Sequence, residues 1–284
     1  MFAITGAAGQ LGRLVIDALT KTIAADRIVA AVRTPSKAAD LAARGVHVRE
    51  ADYDRPETLA AAFAGVEKLL LISSSEIGRR VAQHQAAIDA ARAAGVSLVA
   101  YTSVLRAPTS ALGLAEEHRQ TEAALGASGL PHALLRNGWY TENYLASVPA
   151  ALAHCAVFGA AGEGRIAGAA RADYAEAAAA VLTRDDQAGA VWELAGAPGW
   201  TLADFAAELS RQTGRTIPYR DLSEADYAAA LLQAGLPEPV ARLLADSDAA
   251  AAKGALDGSG DDLRRLIGRA STPLADSVAQ ALKG

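Results

Sequence analysis

The feature that most constrains this chain is its opening dozen residues, Met1 to Gly12, reading MFAITGAAGQLG. Phe2, Ala3 and Ile4 form an apolar run suited to a buried strand, and Thr5-Gly6-Ala7-Ala8-Gly9-Gln10-Leu11-Gly12 turns that strand into a helix. Leu11, Leu14, Val15, Ala18 and Leu19 then follow the i, i+3, i+4, i+7, i+8 spacing of a helix with one buried face. The glycines recur at a three-residue spacing and meet three separate needs. Gly6 permits a tight turn off the strand, Gly9 lets backbone approach a pyrophosphate, and Gly12 lets the helix lie close to the sheet. Free N–H groups of the first helical turn, together with the helix dipole, attract phosphate. A glycine triplet alone says little. Between a strand and a helix it predicts a dinucleotide fold, with Gly6, Ala7, Ala8, Gly9, Gln10, Leu11 and Gly12 against the cofactor.

The next strand, Arg27 to Arg33, ends where such a fold meets the adenosine ribose, roughly 20 residues past the glycines. An acidic residue there would accept from the ribose 2′-OH of NAD. This chain has Arg33, with Lys37 a turn later. A guanidinium cannot accept from a hydroxyl but can grip a 2′-phosphate through charge-assisted bonds, so NADPH is the expected cofactor; the alternative is a solvated surface arginine. Residues 36–43 read as a helix and 46–50 as a third strand, followed by Asp52-Tyr53-Asp54 as an edge for the adenine ring. After a helix at 57–64, Lys68 to Ile72 is almost purely apolar, as in a parallel sheet covered on both faces. It runs into Ser73-Ser74-Ser75, which either line the cofactor cleft or form a plain helix-capping loop. A helix at 81–94 and strands at 98–103 and 132–136 continue the alternation. The prediction is an α/β fold: a right-handed, doubly wound parallel sheet with ligands beyond the strands' carboxyl ends.

A formal charge of -5 leaves no electrostatic footprint for nucleic acid. The single cysteine, Cys155, excludes an internal disulfide framework and a cysteine-rich metal site, and is expected to be a small buried hydrophobe. No stretch reaches the roughly eighteen apolar residues of a membrane span, and a strand beginning at residue 2 leaves no room for a signal peptide. A soluble, cytoplasmic protein with neither nucleic-acid nor membrane partner is expected. Gly159 to Gly168 reads as a loop over the cleft, Asp173 as the N-cap of an alanine-rich helix, and 191–194 as a returning strand. Beyond Gly199, helices near 202–213, 224–234 and 240–249 are broken by Pro218, Pro237 and Pro239. A Gly/Asp-rich linker at 257–262 precedes a last helix near 274–282. The expected division is a Rossmann-type NADP-binding domain at 1–153, to which the strand near 191–195 returns, and a smaller, mostly helical substrate-side lobe at 154–284.

TGAAGQLG, the arginine ending strand two, ISSSE, YTS and RNGWYTENY together resemble the NmrA-like branch of the atypical short-chain dehydrogenase/reductases. Within that branch the chain is similar to bacterial NADPH-dependent quinone oxidoreductases and to triphenylmethane reductases, over nearly its whole length including the tail LIGRASTPLADSVAQAL. The resemblance implies an enzyme that passes a hydride from NADPH to a small quinone, and leaves a homodimer open. The other reading it leaves is a redox sensor that binds NADP(H) without turnover. A sugar-nucleotide epimerase or dehydratase is a third, disfavoured by a missing catalytic pair. In the family the segment 137–144 passes over the nicotinamide half of the cofactor. Asn137, Gly138, Trp139 and Tyr140 are therefore expected at the cofactor, and Tyr140, Asn143 and Tyr144 at the substrate, with the Asn143 amide donating to the acceptor oxygen. Clustered aromatics of this kind also serve as ordinary core.

One departure from the wider superfamily matters most. Its usual Tyr-x-x-x-Lys pair is absent, because none of the seven tyrosines has lysine four residues later. His118-Arg119-Gln120-Thr121-Glu122 stands in its place. His118 and Glu122 share a helix face and can hydrogen-bond. His118 is then either a proton shuttle near neutral pH or half of a structural pair. No third ligand accompanies the two, so no metal is expected.

Overall fold

Alternation of apolar side chains between the two faces of each strand builds the core. In the computed structural model, which describes residues 1–283, the opening residues form strand β1 (Phe2–Thr5) and helix α1 (Gln10–Leu19). The chain continues through β2 (Ile28–Val32), α2 (Ala39–Ala43), β3 (His47–Glu50), α3 (Pro56–Phe63) and β4 (Lys68–Leu71). Then come α4 (Arg80–Ala93), β5 (Leu98–Val104), α5 (Ala115–Ser128) and β6 (His132–Asn137). Short helices α6 (Thr141–Leu145) and α7 (Val148–His154) lead through β7 (Val157–Gly159) to α8 (Arg171–Thr183) and β8 (Val191–Leu194). The remainder is α9 (Leu202–Thr213), β9 (Tyr219–Asp221), α10 (Glu224–Gln233), α11 (Glu238–Ala251), α12 (Asp261–Ile267) and α13 (Leu274–Ala281).

The main sheet has the order β3-β2-β1-β4-β5-β6-β8, and every pairing in it is parallel. Ile4, Ala30, Leu70, Ala100 and Leu135 point to one face and cluster with Val15 of α1 and Val181 of α8. Their neighbours Ala3, Val29, Leu69, Val99 and Leu134 point to the other and cluster with Phe63 of α3, Ile88 of α4 and Leu125 of α5. Full burial of a large apolar side chain contributes about 1.5 to 3 kcal/mol, so register is fixed from both sides. The doubly wound sheet expected from the sequence is present. Strand order reverses between β1 and β4, which is where such sheets open a crevice.

A further cluster joins Trp139, Tyr144 and Val148 to Trp200, Phe205, Leu209 and Val278, and unites α6, α7, α9 and α13. Among the described residues no helix is long and apolar enough to cross a membrane.

Several local expectations change. The helix read at 36–43 begins as a 3₁₀ turn, Pro35–Ala38, before α2. The supposed linker at 257–262 runs into α12, a two-turn helix between Gly260 and Gly268, both in the left-handed region. Its Leu263 and Leu266 join the same core as α1 and α8. Cys155 is exposed rather than buried: it ends α7 in the left-handed region, φ 50°, with its sulfur 3.0 Å from an Arg215 guanidinium nitrogen. Asp173 does not cap α8, whose N-cap is Ala170. Glu142 instead accepts from the Arg171 N–H at 2.9 Å, while fully buried Asp173 accepts from both the backbone and hydroxyl of Thr272 and pairs with Arg269.

Candidate active site

At the carboxyl ends of β1, β2, β3 and β4 lies a cleft of about 380 Å³, floored by the glycine turn. Gly6 adopts φ +59°, a conformation that L side chains rarely tolerate. A Cβ on Gly12 would stand 2.6 Å from both Ala7 Cα and the Gly6 carbonyl oxygen, so only glycine lets α1 start here. Arg13 is the first residue to donate along the helix, to the Gly9 carbonyl, which leaves the N–H groups of Gln10, Leu11 and Gly12 pointing out of the helix start. These donors and the closely approached backbone fit the pyrophosphate of a dinucleotide. Gly6, Ala8, Gly9, Gln10, Leu11 and Gly12 line the cleft as expected. Ala7 does not; its methyl group is fully buried in the core against α1.

Arg33 lines the opposite end with Thr34 and Lys37. Its Nη1 donates to Glu76 Oε1 at 2.8 Å, an exposed ion pair between residues at the ends of β2 and β4. Tyr53 reaches under this end and donates to the Ile72 carbonyl at 3.2 Å. Ser73, Ser74 and Ser75 line the cleft. They do not cap α4, whose N-cap is Arg79. Instead α4 holds the loop from behind: Arg80 Nε donates to the Ser74 carbonyl at 2.7 Å, and the Ser74 N–H donates to His84 Nε2 at 2.9 Å. That bond makes Nε2 the acceptor, so His84 carries its proton on Nδ1 and donates it to Thr121 Oγ1. Gln83 and Thr34 went unnoticed in the sequence because nothing local distinguishes them, and Glu76 entered only as the end of the ISSSE stretch; the topology brings all three to the cleft.

His118 and Glu122 do not bond to each other. Glu122 is taken by Arg136, through Nη2 at 2.7 Å and Nε at 3.0 Å, and by the Ser103 hydroxyl at 2.5 Å. His118 is buried outside the cleft lining, its Nδ1 2.8 Å from the Tyr101 hydroxyl and its Nε2 3.4 Å from Arg80 Nη1. Burial, with the Arg80 cation beside it, pushes its pKa down to about 3. It is therefore neutral at physiological pH.

The segment after β6 sits on the same carboxyl edge of the sheet, two strands beyond β4. Gly138 is committed to packing: its N–H donates to the Leu194 carbonyl at 2.6 Å, and a Cβ would meet that oxygen at 3.0 Å. Trp139, expected at the cofactor, and Tyr144, expected at the substrate, are each more than nine-tenths buried in the core cluster with Trp200. The Tyr144 hydroxyl donates to Asp248 at 3.0 Å, a carboxyl whose pKa burial raises to about 6. Tyr140 and Asn143 keep partial exposure. Tyr140 lies under the Arg171 guanidinium, 4.8 Å from ring centroid to Cζ, and its hydroxyl accepts from Asn137 Nδ2 at 3.4 Å. Asn137 Oδ1 is buried without a hydrogen-bond partner among the described residues. An orphaned buried acceptor costs about 1 to 3 kcal/mol, a penalty that a ligand donor would relieve.

The family described as NAD(P)H-binding matches residues 6–185. The chain is 57% identical to quinone oxidoreductase 2 of Escherichia coli (strain K12), over 98% of each sequence. Among solved structures it is similar to the NADPH-dependent quinone oxidoreductase of Escherichia coli complexed with NADPH, at 56% identity and a TM-score of 0.97, covering 99% of this chain and 100% of that one. It is also similar to Citrobacter sp. triphenylmethane reductase complexed with NADP(H), at 38% identity and a TM-score of 0.95, with the same coverage.

Proposed function

This chain belongs to the NAD(P)H-binding family, and on that footing we propose that it is an NADPH-dependent oxidoreductase that delivers a hydride to quinones. The observation that carries the reading is the 57% identity, over nearly the full length of both chains, to a quinone oxidoreductase. The geometry supports it with a glycine turn suited to a dinucleotide phosphate and an arginine at the ribose position. A nucleotide sensor without turnover, the main rival, has no comparable support. The deciding experiment is consumption of NADPH in the presence of a small quinone; stoichiometric binding without consumption would restore the sensor.

When bound, NADPH supplies the hydride and both electrons. The chain's own residues bind, align and stabilise. The N–H groups of Gln10, Leu11 and Gly12 hold the pyrophosphate, and Arg33 with Lys37 takes the 2′-phosphate. Asn137, whose buried Oδ1 has no partner among the described residues, would accept from the carboxamide of the nicotinamide. Asn143 donates through its side-chain amide to the quinone oxygen that becomes anionic, and Tyr140 supplies the flat face beside it. The same reading takes the protein to be cytoplasmic, as a reductase drawing on a soluble nucleotide would be.

His118 is outside this chemistry. With its pKa pushed down to about 3, His118 is a neutral imidazole at neutral pH rather than the imidazolium that a general acid would need. His118→Gln is expected to leave quinone turnover within about tenfold, below the usual contribution of a general acid. A loss of about a thousandfold with NADPH affinity intact would make it the proton donor after all. Stability offers a second readout. The native pKa lies below the unfolded value, so the stability linked to His118 is present above about pH 6.5 and drains as the pH falls. The variant should lose stability less steeply on the acid side.

A further inference from the structure

The Arg33–Glu76 pair sits where the cofactor's adenosine end must lie, yet only one of its members suits a phosphate. Glu76 follows the serine loop and lines the cleft opposite Arg33. Its Oε1 receives Arg33 Nη1 at 2.8 Å, and its Oε2 receives Gln83 Nε2 at 3.0 Å and Arg79 Nη1 at 3.1 Å. Arg79 continues to Asp54, with Nη2 2.9 Å from Oδ1. Charges thus alternate, Arg33, Glu76, Arg79, Asp54, around one end of the cleft. Arg33 reaches Glu76 from the cofactor side; Arg79 and Gln83 hold the carboxylate whether or not Arg33 does.

We propose that Glu76 is a specificity-determining residue whose carboxylate competes with the 2′-phosphate of NADPH for Arg33 and so moderates the preference for NADPH over NADH. Nη1 of Arg33 already donates to Glu76, so the carboxylate takes part of the positive charge that a 2′-phosphate would meet, and leaves the Nε and Nη2 edge for the phosphate. A 2′-phosphate brings a second negative charge to the same guanidinium, so the carboxylate and the phosphate compete for it and repel one another. The 2′-hydroxyl of NADH is neutral and enters no such competition. Arg79 and Gln83 hold Glu76 through its other oxygen, so the carboxylate stays in place to compete when the phosphate arrives.

The inference rests on the cofactor reading above, and its test uses binding alone, without quinone. Nicotinamide fluorescence would be titrated with NADPH and with NADH for the unsubstituted chain, Glu76→Gln, Arg33→Ser and the double variant. An exposed ion pair at the upper end of its usual contribution is about fivefold in affinity, so Glu76→Gln is expected to tighten NADPH by about threefold to fivefold and leave NADH within about twofold. In the Arg33→Ser background the same change should alter NADPH by less than about twofold, since the competition has lost its object. Equal shifts for both nucleotides, weaker NADPH binding, or a full gain retained without Arg33 would each overturn the competition. Failure of the unsubstituted chain to bind NADPH would instead overturn the cofactor reading itself. Coincident thermal unfolding of all four proteins without nucleotide is expected, because the pair is on the surface; a large loss confined to Glu76→Gln would mean that it holds the loop rather than tuning the cofactor.

Discussion

Arg33→Ser is expected to weaken NADPH binding by about tenfold to a hundredfold while leaving NADH within about threefold. Hydrogen bonds to charged groups contribute roughly 1.5 to 3 kcal/mol, and each 1.4 kcal/mol is about tenfold in affinity. Arg33 is exposed, so its removal should leave the fold intact. Glu76 keeps Arg79 and Gln83 as partners after the change, so the loss reports the phosphate contact rather than a collapsed loop. Parallel titration of both reduced nucleotides measures it. Equal losses for NADPH and NADH would remove Arg33 from the ribose position.

Gly12→Ala should have the largest effect on the protein as a whole. The added methyl group would meet two backbone positions at 2.6 Å, Ala7 Cα and the Gly6 oxygen, and backbone cannot swing aside as a side-chain tip does. Overpacking typically costs about 1 to 3 kcal/mol, and here relief requires α1 to lift away from the glycine turn that holds the pyrophosphate. Stability in a urea titration should fall by about that amount, and NADPH affinity by at least about tenfold. Gly126→Ala is the control. Gly126 lies inside α5, and a methyl group added there would have nothing within 4 Å, so alanine should be neutral or stabilising by up to about 1 kcal/mol. Unchanged stability and binding in Gly12→Ala would contradict the close packing of turn and helix.

Much of the architecture was legible because it is written locally. The apolar runs at 2–5, 28–32, 68–71 and 98–104 have no polar face to hide, and the glycine spacing ties the first of them to a helix start. The glycine turn, Arg33 and the serine loop, which line one cleft, were legible for the same reason. What the sequence withheld was the choice of partner for polar groups. Helical spacing put His118 and Glu122 within reach of each other, yet a bidentate contact from Arg136 on the adjacent strand satisfies Glu122 better, and Tyr101 takes His118. Clustered aromatics after β6 read as cofactor and substrate contacts, with ordinary core as the alternative, and the packing of Tyr144 against Trp200, at 5.2 Å between rings, puts Tyr144 in the core. Gly138 looked like an approach to the nicotinamide and proved to be an approach to β8. Glu76 was visible only as the end of ISSSE, since its pairing depends on which residue the sheet order places beside it.

The chain's chemistry turns on an absence, the Tyr-x-x-x-Lys pair, and on a histidine held neutral in its place. Hydride addition to a ketone makes a strongly basic alkoxide, which needs a positioned acid. Hydride addition to a quinone makes a phenolate-like anion, and phenols have a pKa near 10, so an amide donor such as Asn143 can stabilise it until water supplies the proton. The direct measurement is therefore the rate of loss of nicotinamide absorbance with NADPH and, in turn, a small quinone and a simple ketone at neutral pH. Rapid turnover of the quinone with the ketone essentially inert is the predicted result; efficient ketone reduction, undiminished in Asn143→Ala, would contradict it.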